Sequence, residues 1–75
     1  MTLNDLKQGA LGEVLYVHGT SALRRRIMDM GVTRGCTVRV SNVAPLGDPI
    51  EIEVRGYRLC LRREDADTIE VRYID

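Results

Sequence analysis

Ile50-Glu51-Ile52-Glu53-Val54-Arg55-Gly56-Tyr57-Arg58-Leu59-Cys60-Leu61 is the stretch whose reading decides the fold. Its first five residues alternate strictly between apolar and acidic, which puts Ile50, Ile52 and Val54 on one face of an extended backbone and both glutamates on the other. Such a strand has one buried and one wet face. Arg55-Gly56 reads as a tight hairpin turn, and Tyr57 to Leu61 as the returning strand. Just upstream, Pro45-Leu46-Gly47-Asp48-Pro49 is a loop whose Pro49 opens the strand without removing a ladder hydrogen bond.

Moving outward, Thr37 to Val43 is a further strand with Val38 and Val40 on one face. Leu11 to Val17, rich in β-branched and aromatic residues, is entered through Gly9 and Gly12. Ile69 to Tyr73 alternates again, after one helical turn over Arg63 to Asp67. The remaining segment, from Thr20 or Ser21 to Met30, reads as a helix. A hydroxyl residue caps its start and Gly31 supplies a left-handed exit, with Val32 packing back on Ile27. At about 100° per residue, Leu23, Ile27 and Met30 fall in one arc and Arg25 points away from it. Arg24 and Met28 share a flank, and Arg25 and Asp29 are spaced to pair weakly across the outer face. Gly35 provides the turn into Thr37. The expected fold is mainly β: a small, partly open SH3-like barrel of five strands, with one inserted α-helix (about residues 21–30) and a short helical turn (about 63–67).

With 75 residues the chain allows a single domain, 1–75, and chains of this size bury only about 60% of their unfolded surface. A large active-site cleft is therefore not expected. The 44% hydrophobic residues are ordinary for a globular chain, and eleven basic and eleven acidic side chains cancel. That balance disfavours a non-specific nucleic-acid binder, which carries a basic excess. The charge is nonetheless uneven: residues 1–47 carry six basic and three acidic groups, and residues 48–75 five and eight. Ten of the eleven basic residues are Arg. Arginine suits planar, partly desolvated contacts, although genome base composition explains such a bias as well. The longest apolar run, Val14-Leu15-Tyr16-Val17, is far short of the roughly 20 residues that span a bilayer. The N-terminus lacks the basic-then-apolar order of a signal peptide. The expected location is the cytoplasm, without membrane insertion.

Catalytic signals are sparse. Neither G-x-x-x-x-G-K-[ST] nor G-x-G-x-x-G occurs, so no nucleotide motif is present. His18, the sole His, has no Ser, Cys or Asp at a recognisable motif spacing, and a solvated turn residue is the economical reading. Cys36 and Cys60 are read as reduced core thiols, and a metal site would need both to converge with His18. Glu64, Asp65 and Asp67 are better explained as complements to a helix N-terminus than as cation ligands. No catalytic residue, metal ligand or cofactor is assigned. Arg24-Arg25-Arg26 is the most suggestive polar feature: an exposed arginine docks on acidic surface or stabilises phosphoryl charge in a partner's site, whereas many charge runs only keep a helix face wet. With three Tyr and no Trp or Phe, a groove for Pro-rich ligands is not supported.

The segment Arg24-Arg25-Arg26-Ile27-Met28-Asp29-Met30-Gly31-Val32-Thr33-Arg34-Gly35 resembles the FeoA family of small proteins of bacterial ferrous iron uptake. The similarity continues through Ala44-Pro45-Leu46-Gly47-Asp48-Pro49, Gly56-Tyr57, Leu61-Arg62 and Glu64-Asp65-Ala66, and so covers nearly the whole chain. It implies an SH3-like barrel related to the C-terminal domain of DtxR-type repressors. It also implies a partner, the membrane transporter FeoB, with its cytoplasmic G domain as the docking target. FeoA-type proteins are not established enzymes, and the family pattern does not ask for His18, Cys36 or Cys60. The leading expectation is an adaptor that binds through Arg24, Arg25, Met28 and Leu46; a narrower version makes it a regulator of GTP turnover. The alternatives are a barrel module of repressor or nucleic-acid-binding type, and a metal sensor. Self-association is expected to be open to such a barrel through its strand edges.

Overall fold

The computed structural model describes residues 1–75, in which five strands follow in chain order: β1 (Leu11–Val17), β2 (Thr37–Val43), β3 (Ile50–Val54), β4 (Tyr57–Leu61) and β5 (Ile69–Ile74). Helix α1 (Ser21–Asp29) lies between β1 and β2, and the single turn α2 (Arg63–Ala66) between β4 and β5. All strands join one antiparallel sheet in the order β4-β3-β2-β1-β5. β4 and β5 are its edges, so the sheet curls without closing into a full barrel. Two irregularities help it bend, one between Val14 and Tyr16 of β1 and one between Val40 and Asn42 of β2. At the second, the Ser41 hydroxyl lies within donating distance of the Glu51 carbonyl (3.1 Å) and carboxylate (2.8 Å).

The alternating apolar positions fill the core. Val14, Val38, Val40, Ile50, Ile52, Val54, Ile69 and Val71 are buried, together with Ile27 of α1 and Ala66 of α2. No polar side chain is buried with them. Gly12 sits among these residues for a steric reason: a Cβ there would lie 2.8 Å from Leu6 Cδ1 and 3.4 Å from Val71 Cβ. Its absence leaves room for the Leu6 side chain against β1.

The exit from α1 follows from sequence. Met30 is the C-cap, the Gly31 N–H donates to the Met28 carbonyl and the Val32 N–H to the Ile27 carbonyl, with Gly31 at φ +95°. These paired bonds form a Schellman exit and bring Val32, fully buried, back onto Ile27. The helix thus ends one residue before the expected Met30. The α2 turn likewise ends at Ala66 instead of Asp67, while β5 runs one residue further, to Ile74.

One correction and one addition concern the core. Cys60 is exposed on β4, because the odd positions of that strand face inward; Cys36 is half-buried against the core. The addition is a 3₁₀ turn over Leu3–Asp5, held by the Asp5 carboxylate accepting from the Thr2 N–H at 2.8 Å. It buries Leu3 and Leu6 and lays the N-terminal segment along β5. No helix is long and apolar enough to cross a membrane.

Candidate docking site

Helix α1 presents the cluster of arginines. The Thr20 hydroxyl accepts from the Leu23 N–H at 3.2 Å and fixes the start of the helix. Ile27 then points into the core, with Leu23 and Met30 packed at its margin. That rotation leaves Arg24, Arg25 and Met28 along one side. Arg24, Arg25 and Met28 line a shallow depression of about 330 Å³ with Ser21 and Asp29. Arg24 and Met28 also border a second depression of about 230 Å³, completed by Tyr16, Val17 and Arg34. Leu46 lines neither. It stands 93% exposed at the tip of the β2–β3 loop, where the Gly47 N–H donates to the Ala44 carbonyl at 2.7 Å.

The three arginines of the run have different situations. Arg24 is held at its stem: its Nε donates to the Val17 carbonyl at 2.9 Å, and its Cζ lies 5.2 Å from the centre of the Tyr16 ring. The terminal nitrogens make no protein hydrogen bond, so a fork of N–H donors faces solvent beside Met28, which is 42% exposed. Arg25 is exposed and pairs with no carboxylate; the expected contact with Asp29 does not form. Arg26 instead reaches Asp65 of α2 at 3.2 Å, tying the two helices together. Arg34 adds a further unpaired cation.

A polar chain missed in the sequence runs behind Arg24. The Tyr16 and His18 rings are 4.7 Å apart, and His18 Nε2 lies 2.9 Å from Glu70 Oε1. The hydrogen bond to His18 is the main cause that holds the Glu70 carboxyl below its ordinary pKa. His18 is exposed at the end of β1, as the sequence reading has it, but it is partnered. No sequence spacing links the two; the antiparallel register that sets Glu70 beside Tyr16 and Ile69 beside Val17 brings them together. No three His, Cys, Asp or Glu side chains converge to hold a metal. The acidic residues after β4 serve internal contacts: Asp65 takes Arg26, Glu64 lies 3.6 Å from Arg62, and Asp67 accepts from Asn4.

This fold with its arginine-bearing helix can be compared with known proteins. The FeoA domain family matches residues 1–73. The chain belongs to the FeoA family. It is 40% identical over 74 residues to the Fe(2+) transport protein A/Fe(2+) transporter FeoB fusion protein of Porphyromonas gingivalis, covering 99% of this chain and 9% of that protein. The chain therefore spans under a tenth of the length of that relative. The solution structure of FeoA from Chlorobium tepidum superposes with a TM-score of 0.92 at 44% identity, over 100% of this chain and 71% of that one. FeoA of Stenotrophomonas maltophilia, solved in complex with zinc and described as an SH3 domain protein, gives a TM-score of 0.83 at 30% identity, over 96% of this chain and 89% of that one. A manganese-dependent transcriptional repressor shares the shape, with a TM-score of 0.90 at 18% identity over 99% of this chain and 36% of that one. That likeness carries the fold alone.

Proposed function

We propose that this FeoA-family chain is a non-enzymatic, cytoplasmic accessory protein of ferrous iron uptake, and that its α1 face docks on the cytoplasmic G domain of a FeoB-type transporter. The observation that carries the reading is Arg24. Its stem is bonded to Val17 and stacked on Tyr16, so little side-chain entropy remains to be lost, while its unbonded fork is aimed outward next to an exposed Met28. Pre-organised arginine beside apolar surface is the usual composition of an interface hot spot. Arg25 and Arg34 add attraction for an acidic partner surface, and Leu46 supplies a separate apolar contact from its loop tip. The fusion of an FeoA-like segment to FeoB in the Porphyromonas gingivalis relative supports the choice of partner.

Titration calorimetry of the chain against the soluble G domain, with GDP, with a GTP analogue and without nucleotide, tests the reading. Saturable binding is expected, weakened at least tenfold, about 1.4 kcal/mol, by Arg24→Glu with Arg25→Glu. Unchanged affinity in that folded double variant would remove the α1 face from the interface. Regulation of the transporter is a separate arm: GTP turnover measured with excess chain changes if the docked arginines reach the nucleotide, and stays constant if docking is purely structural.

A further inference from the structure

The two edges of the sheet are treated differently. Along β5 the chain covers itself, with Thr2 bridged to Glu70 and the Val71 N–H donating to the Met1 carbonyl at 2.9 Å. β4 bonds to β3 alone, and its other side has no backbone partner. Unpaired strand edges are templates for another strand.

Hairpin geometry identifies which groups are unpaired. Arg55 and Gly56 both have positive φ, +52° and +85°, the signature of a two-residue type I′ turn between Val54 and Tyr57. In such a hairpin the residues flanking the turn exchange both hydrogen bonds, and bonded pairs recur at every second position. Tyr57, Leu59 and Leu61 therefore spend their N–H and C=O groups on Val54, Ile52 and Ile50. Arg58 and Cys60 turn theirs outward, away from β3. Both side chains are exposed on the outer face of the sheet.

We propose that β4 pairs antiparallel with β4 of a second copy of this chain, about a twofold axis at Leu59. That register sets Arg58 opposite Cys60 of the second copy and satisfies all four outward groups on each β4. An axis at Arg58 would place two arginines face to face. An axis at Cys60 would set Arg58 against Arg62 and leave the strand ends unpaired. Of these three registers, which use most of β4, only the one at Leu59 keeps like charges from facing each other. It also lets Arg58 reach across Cys60 toward Glu51 of the second copy, since Glu51 is the β3 neighbour of Cys60. Within one chain Arg58 has only a long contact, 3.9 Å to Glu53, so it is free to swing. On the opposite face, half-buried Leu59 meets its own counterpart across the axis. The result is a continuous sheet across two copies, independent of how α1 is used.

Sedimentation velocity of the 75-residue chain over a concentration series reads the assembly directly. The mass is expected to rise from 8.4 kDa toward twice that value. Cys60→Pro deletes an outward N–H that β3 does not use, so it should abolish the dimer while leaving the circular dichroism spectrum unchanged. A second variant keeps the test decisive if that one unfolds: Arg58→Cys places a thiol opposite the native Cys60 of the second copy. Oxidised glutathione, which accepts the two electrons and two protons, should then yield a disulfide-linked dimer that Arg58→Cys with Cys60→Ser does not form. A chain that stays monomeric at every soluble concentration overturns the proposal. So does a dimer that persists in folded Cys60→Pro, or an Arg58→Cys chain that gives no dimeric disulfide.

Discussion

Arg24 shows how one side chain is made ready by its neighbours. Its charge is duplicated by Arg25 and Arg34, but the bond from Nε to Val17 and the stack on Tyr16 require a flat guanidinium. Arg24→Lys therefore keeps charge and loses position. Stability should fall by about 0.5–1.5 kcal/mol, the value of one hydrogen bond, as read by urea denaturation. Binding to the G domain should weaken although net charge is unchanged; equal binding would mean that charge alone matters. Gly31 is the second residue under local constraint. A Cβ there would both strain a backbone at φ +95° and run into the Tyr57 hydroxyl, which donates to the Met30 carbonyl. Gly31→Ala is expected to cost at least about 1–3 kcal/mol in the same denaturation experiment.

At the scale of elements, the β3–β4 hairpin pairs an unfavourable local choice with a compensating tertiary one. Arg55 occupies positive φ, where Gly or Asn is usual, yet its Nε donates to the Gly31 carbonyl (3.1 Å) and its Nη2 to the Thr33 hydroxyl (2.9 Å). The turn is thereby fastened to the exit of α1. Arg55→Gly and Arg55→Ala lose the same bonds, but only Ala keeps the backbone penalty. The Gly variant should be more stable than the Ala variant by about 1 kcal/mol. Equal stabilities would show that the turn relaxes.

Strand limits were legible in the sequence because they rest on period-two alternation between Gly and Pro punctuation, as in Ile50–Val54 and Thr37–Val43. What escaped depended on contacts between distant residues. Asp65 draws Arg26 out of the Arg24-Arg25-Arg26 run, a partnership across 39 positions that no local spacing encodes. Glu70 pairs with His18 only because β5 returns beside β1. Cys60 was misplaced because Leu59-Cys60-Leu61 offers no alternation beyond its own two leucines, and the facing of β4 is set by its register on β3. The 3₁₀ turn over Leu3–Asp5 carried a faint signal, two leucines three apart, that matters only once Gly12 opens room for Leu6. Within the proposed docking site, the shared flank of Arg24 and Met28 and the outward position of Arg25 followed from helical phase, whereas the support under Arg24 did not.

For the whole molecule, the sheet acts as a frame that holds α1 at one place and leaves β4 open at another. The frame also has a pH dependence of definite sign. Glu70 has a lowered pKa in the fold, so its contribution to stability is complete above the ordinary carboxylate pKa of about 4.3 and is lost as pH falls through the folded value. Thermal melts of the native chain and Glu70→Gln should differ near neutrality and converge in acid. A difference that grows on acidification would contradict the assignment. The central claim, that the α1 face is the docking surface, is tested most directly by nuclear magnetic resonance. The isotope-labelled chain would be titrated with the unlabelled G domain while its backbone amide signals are followed. The account predicts shifts concentrated at Tyr16, Ser21 to Asp29 and Arg34, with a smaller set around Leu46. Shifts confined to β5 and the N-terminal turn, with α1 unmoved, would contradict it.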